Sequence, residues 1–210
     1  MKKAIQFFLG LVIVALIYVI TMQIYNPLSF EKQVKERNAE VIVKLKDIRA
    51  AERAYKSKYQ RFTNNFDSLI HFVLNDSLEM ERKLVDEDDS VAMAQLKKAG
   101  KKNIEKFNIA VIDTIFSPRK LSKEQVQDLR YMPFTEKKEF ILEAAMITTA
   151  ANVEIPVVEC RAPYKMYLDT VEFRQNIINL IDDKVNNFGQ YAGLKFGSME
   201  GSNNEAGNWE

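Results

Sequence analysis

Few residues in this 210-residue chain have the types and spacing that chemistry needs. A serine or cysteine nucleophile requires a base within reach. The only histidine, His71, is predicted on a short helix and the only cysteine, Cys160, in a strand, so the pair falls on different elements. His71 reads as a surface or satisfied core histidine, and Cys160 as a small buried hydrophobe that forms no internal disulfide. One histidine without a second histidine or paired cysteines makes a poor transition-metal site. The acidic run Asp86-Glu87-Asp88-Asp89 lacks the alternating oxygens, central glycine and closing glutamate of a calcium loop, and reads as a solvated segment. Asp182-Asp183, or Glu154 with Glu159, would supply paired carboxyls for glycoside chemistry, but any charged surface offers such pairs. Neither a G-x-S-x-G elbow, a glycine-rich phosphate loop nor an H-E-x-x-H occurs. The expectation is a protein that is not an enzyme, with no cofactor and no metal.

The elements that would position these residues begin with an apolar segment. Residues 4–25 contain no charged side chain, in a chain where 28% of residues are charged. As a helix they rise about 33 Å, against a hydrocarbon core of about 30 Å. Bulky Ile20, Met22 and Ile24 stand where a signal peptidase needs small residues, so residues 1–26 read as an uncleaved anchor in the bilayer, with Tyr25 at its interface. Lys2 and Lys3 on a three-residue tail favour an N-in orientation and an inner-membrane protein with a periplasmic C-terminal part. The formal charge is +1 with Lys and Glu interleaved, which lacks the one-signed face that nucleic-acid binding requires.

Asn26 and Pro27 are expected to interrupt the helix, and Ser29 to cap a new one. Residues 27–75 then read as a long amphipathic helix followed by a short capping helix. Val34, Val41, Leu45, Ile48, Tyr55, Tyr59 and Phe62 keep one stripe apolar, to be buried in the same domain or against a partner helix. The polar stretch 59–65 leaves helical geometry, Asn64 with Asp67 is expected to cap the next helix, and residues 65–74 carry Phe66, Leu69, Ile70 and Val73 at helical spacing. Residues 76–108 read as a charged connector of one or two helices broken near Ala99-Gly100.

From residue 109 the apolar period changes to two. Strands are expected at 109–116 (closed by Ser117-Pro118), 140–149, 153–162 and 194–198. A helix opens at the Ser122/Gln125 capping box and stops at Met132-Pro133, and another follows Asp169 and Glu172, carrying Phe173, Ile177, Leu180, Ile181 and Val185. The fold class is therefore α+β: a transmembrane helix, a long amphipathic helix, then over 109–198 a small ferredoxin-like or related antiparallel sheet domain. Residues 199–210 are a polar tail, either frayed or docked through Trp209 on the same or another subunit.

Two resemblances bear on function. Ile48-Arg49-Ala50-Ala51-Glu52-Arg53-Ala54-Tyr55, with Tyr59-Gln60-Arg61-Phe62-Thr63 and Phe66-Asp67-Ser68-Leu69, resembles the end of the first helix of type IV pilins and type II secretion pseudopilins. Their general plan of anchor, amphipathic helix and small C-terminal sheet is similar too. The sequence departs from them where Gly10 is followed by Leu11 and the fifth residue on is Ala15, so the family's processing signal and in-membrane glutamate are unmatched. The architecture is also similar to that of the single-pass alignment-platform proteins of the same machines, which form homo- or heterodimers. The resemblance implies a scaffold or assembly part of an envelope secretion or pilus-like machine, bound to other envelope-machine proteins or to itself through the long helix. Candidate contacts are Val34, Val41, Leu45, Ile48, Tyr55 and Trp209. A membrane-anchored ligand-binding sensor and a pilin-like filament subunit are the alternatives.

Overall fold

The computed structural model describes residues 2–86, 88–100, 102–117 and 119–210. Its axis is one helix, α1 (Lys2–Tyr59), 58 residues long and about 87 Å from end to end. The expected break at Asn26 and Pro27 does not occur, and Ser29 caps nothing. Pro27 sits inside the helix: its fixed φ is helical, and its ring costs one backbone hydrogen bond, to the carbonyl of Gln23. The apolar half of α1 is long and apolar enough to cross a membrane, and none of its described residues up to Leu28 is buried. Its Thr21 hydroxyl is satisfied within the helix by donating to the Ile17 carbonyl at 2.8 Å.

The other half of α1 is the spine of the core. Val41, Leu45, Ile48, Ala51 and Glu52 are wholly buried. They meet α2 (Phe66–Asn75) on one side and a three-stranded sheet on the other. Asn65, rather than Asn64, caps α2, its side chain accepting from the Asp67 and Ser68 amides. Phe66, Leu69, Ile70 and Val73 are buried as their spacing predicts, joined by Phe72.

Residues 77–110 correct the expected helical connector in part: one helix is present and ends at Ala99-Gly100 as read, but strands flank it. They form an antiparallel hairpin, β1 (Ser77–Lys83) with β2 (Ile104–Ala110), joined through α3 (Ser90–Lys98). The charges that suggested exposed helices pair across the strands instead. Glu81 lies opposite Lys106 and Arg82 opposite Glu105, with N–O separations of 3.3 and 2.6 Å. Among the described residues of 77–110 none is buried, so the hairpin is an arm outside the core. Its base is tied to α1 where the Tyr59 hydroxyl donates to Asp76 at 2.8 Å. Glu87 of the acidic run and Lys101 beside the expected break lie outside the described residues.

The strand expected at 109–116 is also corrected. Pairing ends at Ala110, and α4 (Val111–Phe116) follows, because Val111, Ile112, Ile115 and Phe116 form one apolar helical face turned to the core. Pro118, expected to close that strand, is outside the described residues. The Ser122/Gln125 capping box forms as read, opening α5 (Lys123–Gln127), which tightens into a 3₁₀ turn to Arg130. The sheet comprises β3 (Ile141–Thr148), β4 (Glu154–Pro163) and β5 (Gly193–Gly197), ordered β3-β4-β5 and wholly antiparallel. Between β4 and β5 lie α6 (Tyr164–Tyr167) and α7 (Arg174–Asp182), the latter widening into a π turn. Asp169 caps the turn before α7, accepting from the Val171 and Glu172 amides, while Phe173 is the helix's own N-cap residue. With the strand expected at 109–116 absent, the other three expected strands forming one sheet, and an unexpected hairpin beside it, the fold is the α+β arrangement of small antiparallel sheets rather than the ferredoxin-like order.

Val158, Cys160 and Ala162 face the core, and Cys160 is buried as read. The opposite face is charged. Glu159 receives Lys195 at 2.9 Å and lies 3.3 Å from Arg161, which reaches Glu143 at 2.6 Å. The tail is not frayed. Phe196 bridges to Gly207, and Asn208 donates its amide to the Lys195 carbonyl at 3.0 Å, so the tail extends the sheet beyond β5. A Cβ on Gly207 would lie 2.4 Å from the Trp209 ring, which folds back over it.

Candidate partner-binding surface

The six candidate contacts separate cleanly in space. Val41, Leu45 and Ile48 are wholly buried in the chain's own core and present nothing to a partner. Tyr55 is half-buried and stands edge-on to Phe72, with ring centroids 5.2 Å apart. Trp209 docks on α1 of its own chain. The Arg49 guanidinium lies 5.8 Å from its ring centroid and donates to Glu210 at 2.7 Å. Arg53 holds the Glu205 carboxylate at 3.0 Å and Lys56 lies 3.6 Å from it. The Arg49 hydrogen bond holds the Glu210 carboxyl below its ordinary range.

Val34 alone lines open space. It belongs to a ridge of α1, Phe30, Val34, Asn38 and Ile42, each four residues from the last, beside a second ridge of Glu31, Lys35 and Ala39. With Leu180 of α7 these enclose an apolar groove of about 540 Å³ beside the apolar half of α1. Rows spaced by four are the ridges that a second helix interdigitates with, and an apolar floor with a charged rim is what an amphipathic helix fits. The helix beside the groove is tied to the rest of the domain. Asn38 accepts from the Tyr167 hydroxyl at 2.6 Å, Arg37 donates to the Tyr167 carbonyl at 2.6 Å, and Phe30 packs on Phe173. Beside it the Gln33 side-chain carbonyl oxygen is buried with no hydrogen-bond partner among the described residues.

One residue that sequence reasoning missed is Glu52. The apolar stripe steps from Ile48 to Tyr55, and Glu52 fills the gap four residues after Ile48, on the core face. It is 0% exposed, accepts only the Thr63 amide, at 3.1 Å, and leaves Oε1 unpartnered among the described residues. Burial pushes its pKa up to about 8, the Thr63 bond opposing. Burial, followed by the nearby Glu52, raises the Cys160 thiol well above its usual value. Both groups are wholly buried, away from solvent. The Glu52–Thr63 hydrogen bond fastens the turn after α1 to the core. His71 is exposed on α2, and no cluster of metal-ligating side chains occurs among the described residues. Comparisons with protein-family models, curated proteins and solved structures returned no match.

Proposed function

We propose that this chain is a non-catalytic, single-pass inner-membrane protein whose periplasmic domain serves as a scaffold or assembly component of an envelope secretion or pilus-like machine. The observation that carries this reading is the unbroken α1, bare and apolar over one half, the spine of a domain over the other, with a helix-sized apolar groove beside the junction. A groove there meets other chains that leave the same membrane, and a helix of such a chain is its natural occupant. Crosslinking in intact membranes, followed by mass spectrometry of captured partners and of the mature N-terminus, tests it. Secretion or pilus components crosslinked through Val34 or Ile42 support the scaffold. Capture of none, with the chain intact in the membrane, defeats it.

A second reading, a pilin-like filament subunit, is favoured by the same continuity. A helix that passes from apolar segment to domain spine and is backed by a three-stranded antiparallel sheet follows the plan implied by the resemblance around residues 48–69. The N-terminus found by mass spectrometry separates the two: Leu11 for a processed subunit, the unprocessed end for a scaffold.

A further inference from the structure

The base of the domain carries exposed apolar side chains that the fold does not need. From Lys3 to Glu31 the chain has no charged residue, and α1 is unbroken across this stretch. Residues 4–30 as helix measure about 40 Å, so centred on a hydrocarbon core of about 30 Å they carry about 5 Å into each headgroup layer. Phe30 is then within that layer, and Phe30 is where the domain begins: its ring centroid lies 5.5 Å from that of Phe173.

The segment before Phe173 follows α1 toward the apolar half. Asp169 lies 3.9 Å from Arg37, and Phe173 touches Phe30, so four residues of loop descend past seven of helix, about 10 Å. On this descent Val171 is 93% exposed. It is presented by a fixed turn, since Asp169 accepts both the Val171 and Glu172 amides, at 3.0 and 3.1 Å. A second loop arrives at the same arginine. Phe134, 49% exposed, has its ring 5.0 Å from the Arg37 guanidinium and is held at φ +61, a conformation that a bulky side chain rarely adopts. Leu28 on α1 is exposed as well. Valine and phenylalanine are thus displayed on separate loops around one arginine, on one flank of α1 and within about 10 Å of the level of Phe30, near enough for a tilt of the helix toward that flank to bring them to the headgroups.

We propose that the base of the domain rests on the membrane itself, α1 tilting so that Val171 and Phe134 enter the headgroup layer and reach toward the acyl chains. The partner of this surface is a lipid bilayer, and the contact fixes the tilt and rotation of the domain over its anchor. The inference rests on the reading of α1 as a membrane anchor.

The native chain has one cysteine, buried, so a single probe is readily placed. The full chain carrying Cys160→Ala and Val171→Cys is labelled with an environment-sensitive fluorophore and reconstituted in phosphatidylethanolamine–phosphatidylglycerol vesicles. Val153→Cys, exposed in the β3–β4 loop, is the reference. It lies at the far end, because β4 runs from there past Val157, beside Glu205 and hence Arg53, down to Tyr167 beside Asn38. The expected result is strong quenching of the 171 probe by lipids brominated on their acyl chains and weak quenching by aqueous iodide, with the reverse at 153. Phe134→Cys repeats the test on the second loop. Iodide access at 171 equal to that at 153, in chains that resist alkaline extraction, overturns the proposal and leaves the anchor standing. Shielding from iodide without bromolipid quenching shows a protein neighbour and overturns it too. Chains released by alkali overturn the anchor reading first. Both positions are exposed, and Trp209 fluorescence confirms that each variant is folded.

Discussion

Replacing Glu52 by glutamine should uncouple stability from pH over the neutral range. The carboxyl ionises near its ordinary value of 4.5 when the chain is unfolded and at about 8 in the folded protein. Between those values the folded state holds a proton that the unfolded state has released, so stability falls as pH rises, by about 1.4 kcal/mol per pH unit. The stabilisation is fully present below the unfolded pKa, is lost as pH climbs through the folded one, and totals on the order of 5 kcal/mol. Glu52→Gln keeps an oxygen for the Thr63 amide and cannot ionise. Its amide brings donors into a site where Oε1 has no partner, a cost of about 1–3 kcal/mol that does not vary with pH. The variant should therefore be less stable than the parent at about pH 5 and more stable at about pH 9, with the curves crossing between. Urea unfolding of the full chain in detergent, followed by the single tryptophan, measures both. The difference between the two proteins cancels every other titrating group. A difference that stays constant with pH would refute the reasoning, because it would mean that Glu52 is ionised in the folded state and partnered there.

On the groove, Ile42→Asp and Val34→Asp should abolish partner crosslinking with little change in unfolding midpoint, since both residues are only partly buried; Leu45→Asp, wholly buried, should cost more than about 4 kcal/mol and lose the fold. Arg49→Ala should free the tail, seen as a red-shifted Trp209 emission, with the midpoint of the core little changed. Because Arg49 depresses the Glu210 pKa, its contribution to docking is present above the ordinary carboxylate range and is lost only as pH falls through the depressed value, so Trp209 emission should hold through mildly acidic pH and shift below it. Gly207→Val places a side chain where the Trp209 ring lies and should give the same red shift with Arg49 intact.

Much of the fold was legible because side-chain period reports burial. The 41/45/48 stripe, the α2 face, the capping box at Ser122 and the strands around 140–149, 153–162 and 194–198 all followed from spacing and turn chemistry. The failures have physical causes. Pro27 was read as a helix breaker, yet its fixed φ is helical and the chain continues through it at the loss of one backbone hydrogen bond. The 76–108 stretch was read as exposed helix because it is highly charged, which holds for Ser90–Lys98, whereas on either side of it the charges pair across a hairpin, where Lys106 meets Glu79 and Glu81. The 111–116 run has β-branched residues and no polar interruption but Asp113 and Thr114, so period could not separate strand from buried helix. Of the candidate surface, Val34 was legible as apolar and helical, but what leaves it open while Val41 closes is the placement of α7 and the sheet, which no local pattern encodes. Glu52 was legible in principle as a charge at a core register position, and the seven-residue step from Ile48 to Tyr55 passed over it.

The continuity of α1 changes what assembly would require. A domain hung from a flexible linker must give up rotational freedom when it docks, and that loss opposes binding. Here the groove sits on the same rigid helix as the apolar segment, one to four turns past Pro27, so rotation of that segment about its axis sets the direction in which the groove faces. If the base of the domain also rests on lipid, tilt is restrained as well. Two chains held this way in one membrane meet with their grooves at the same height and with fewer orientations to search, so a surface as small as this groove can serve where a free domain would need a larger one.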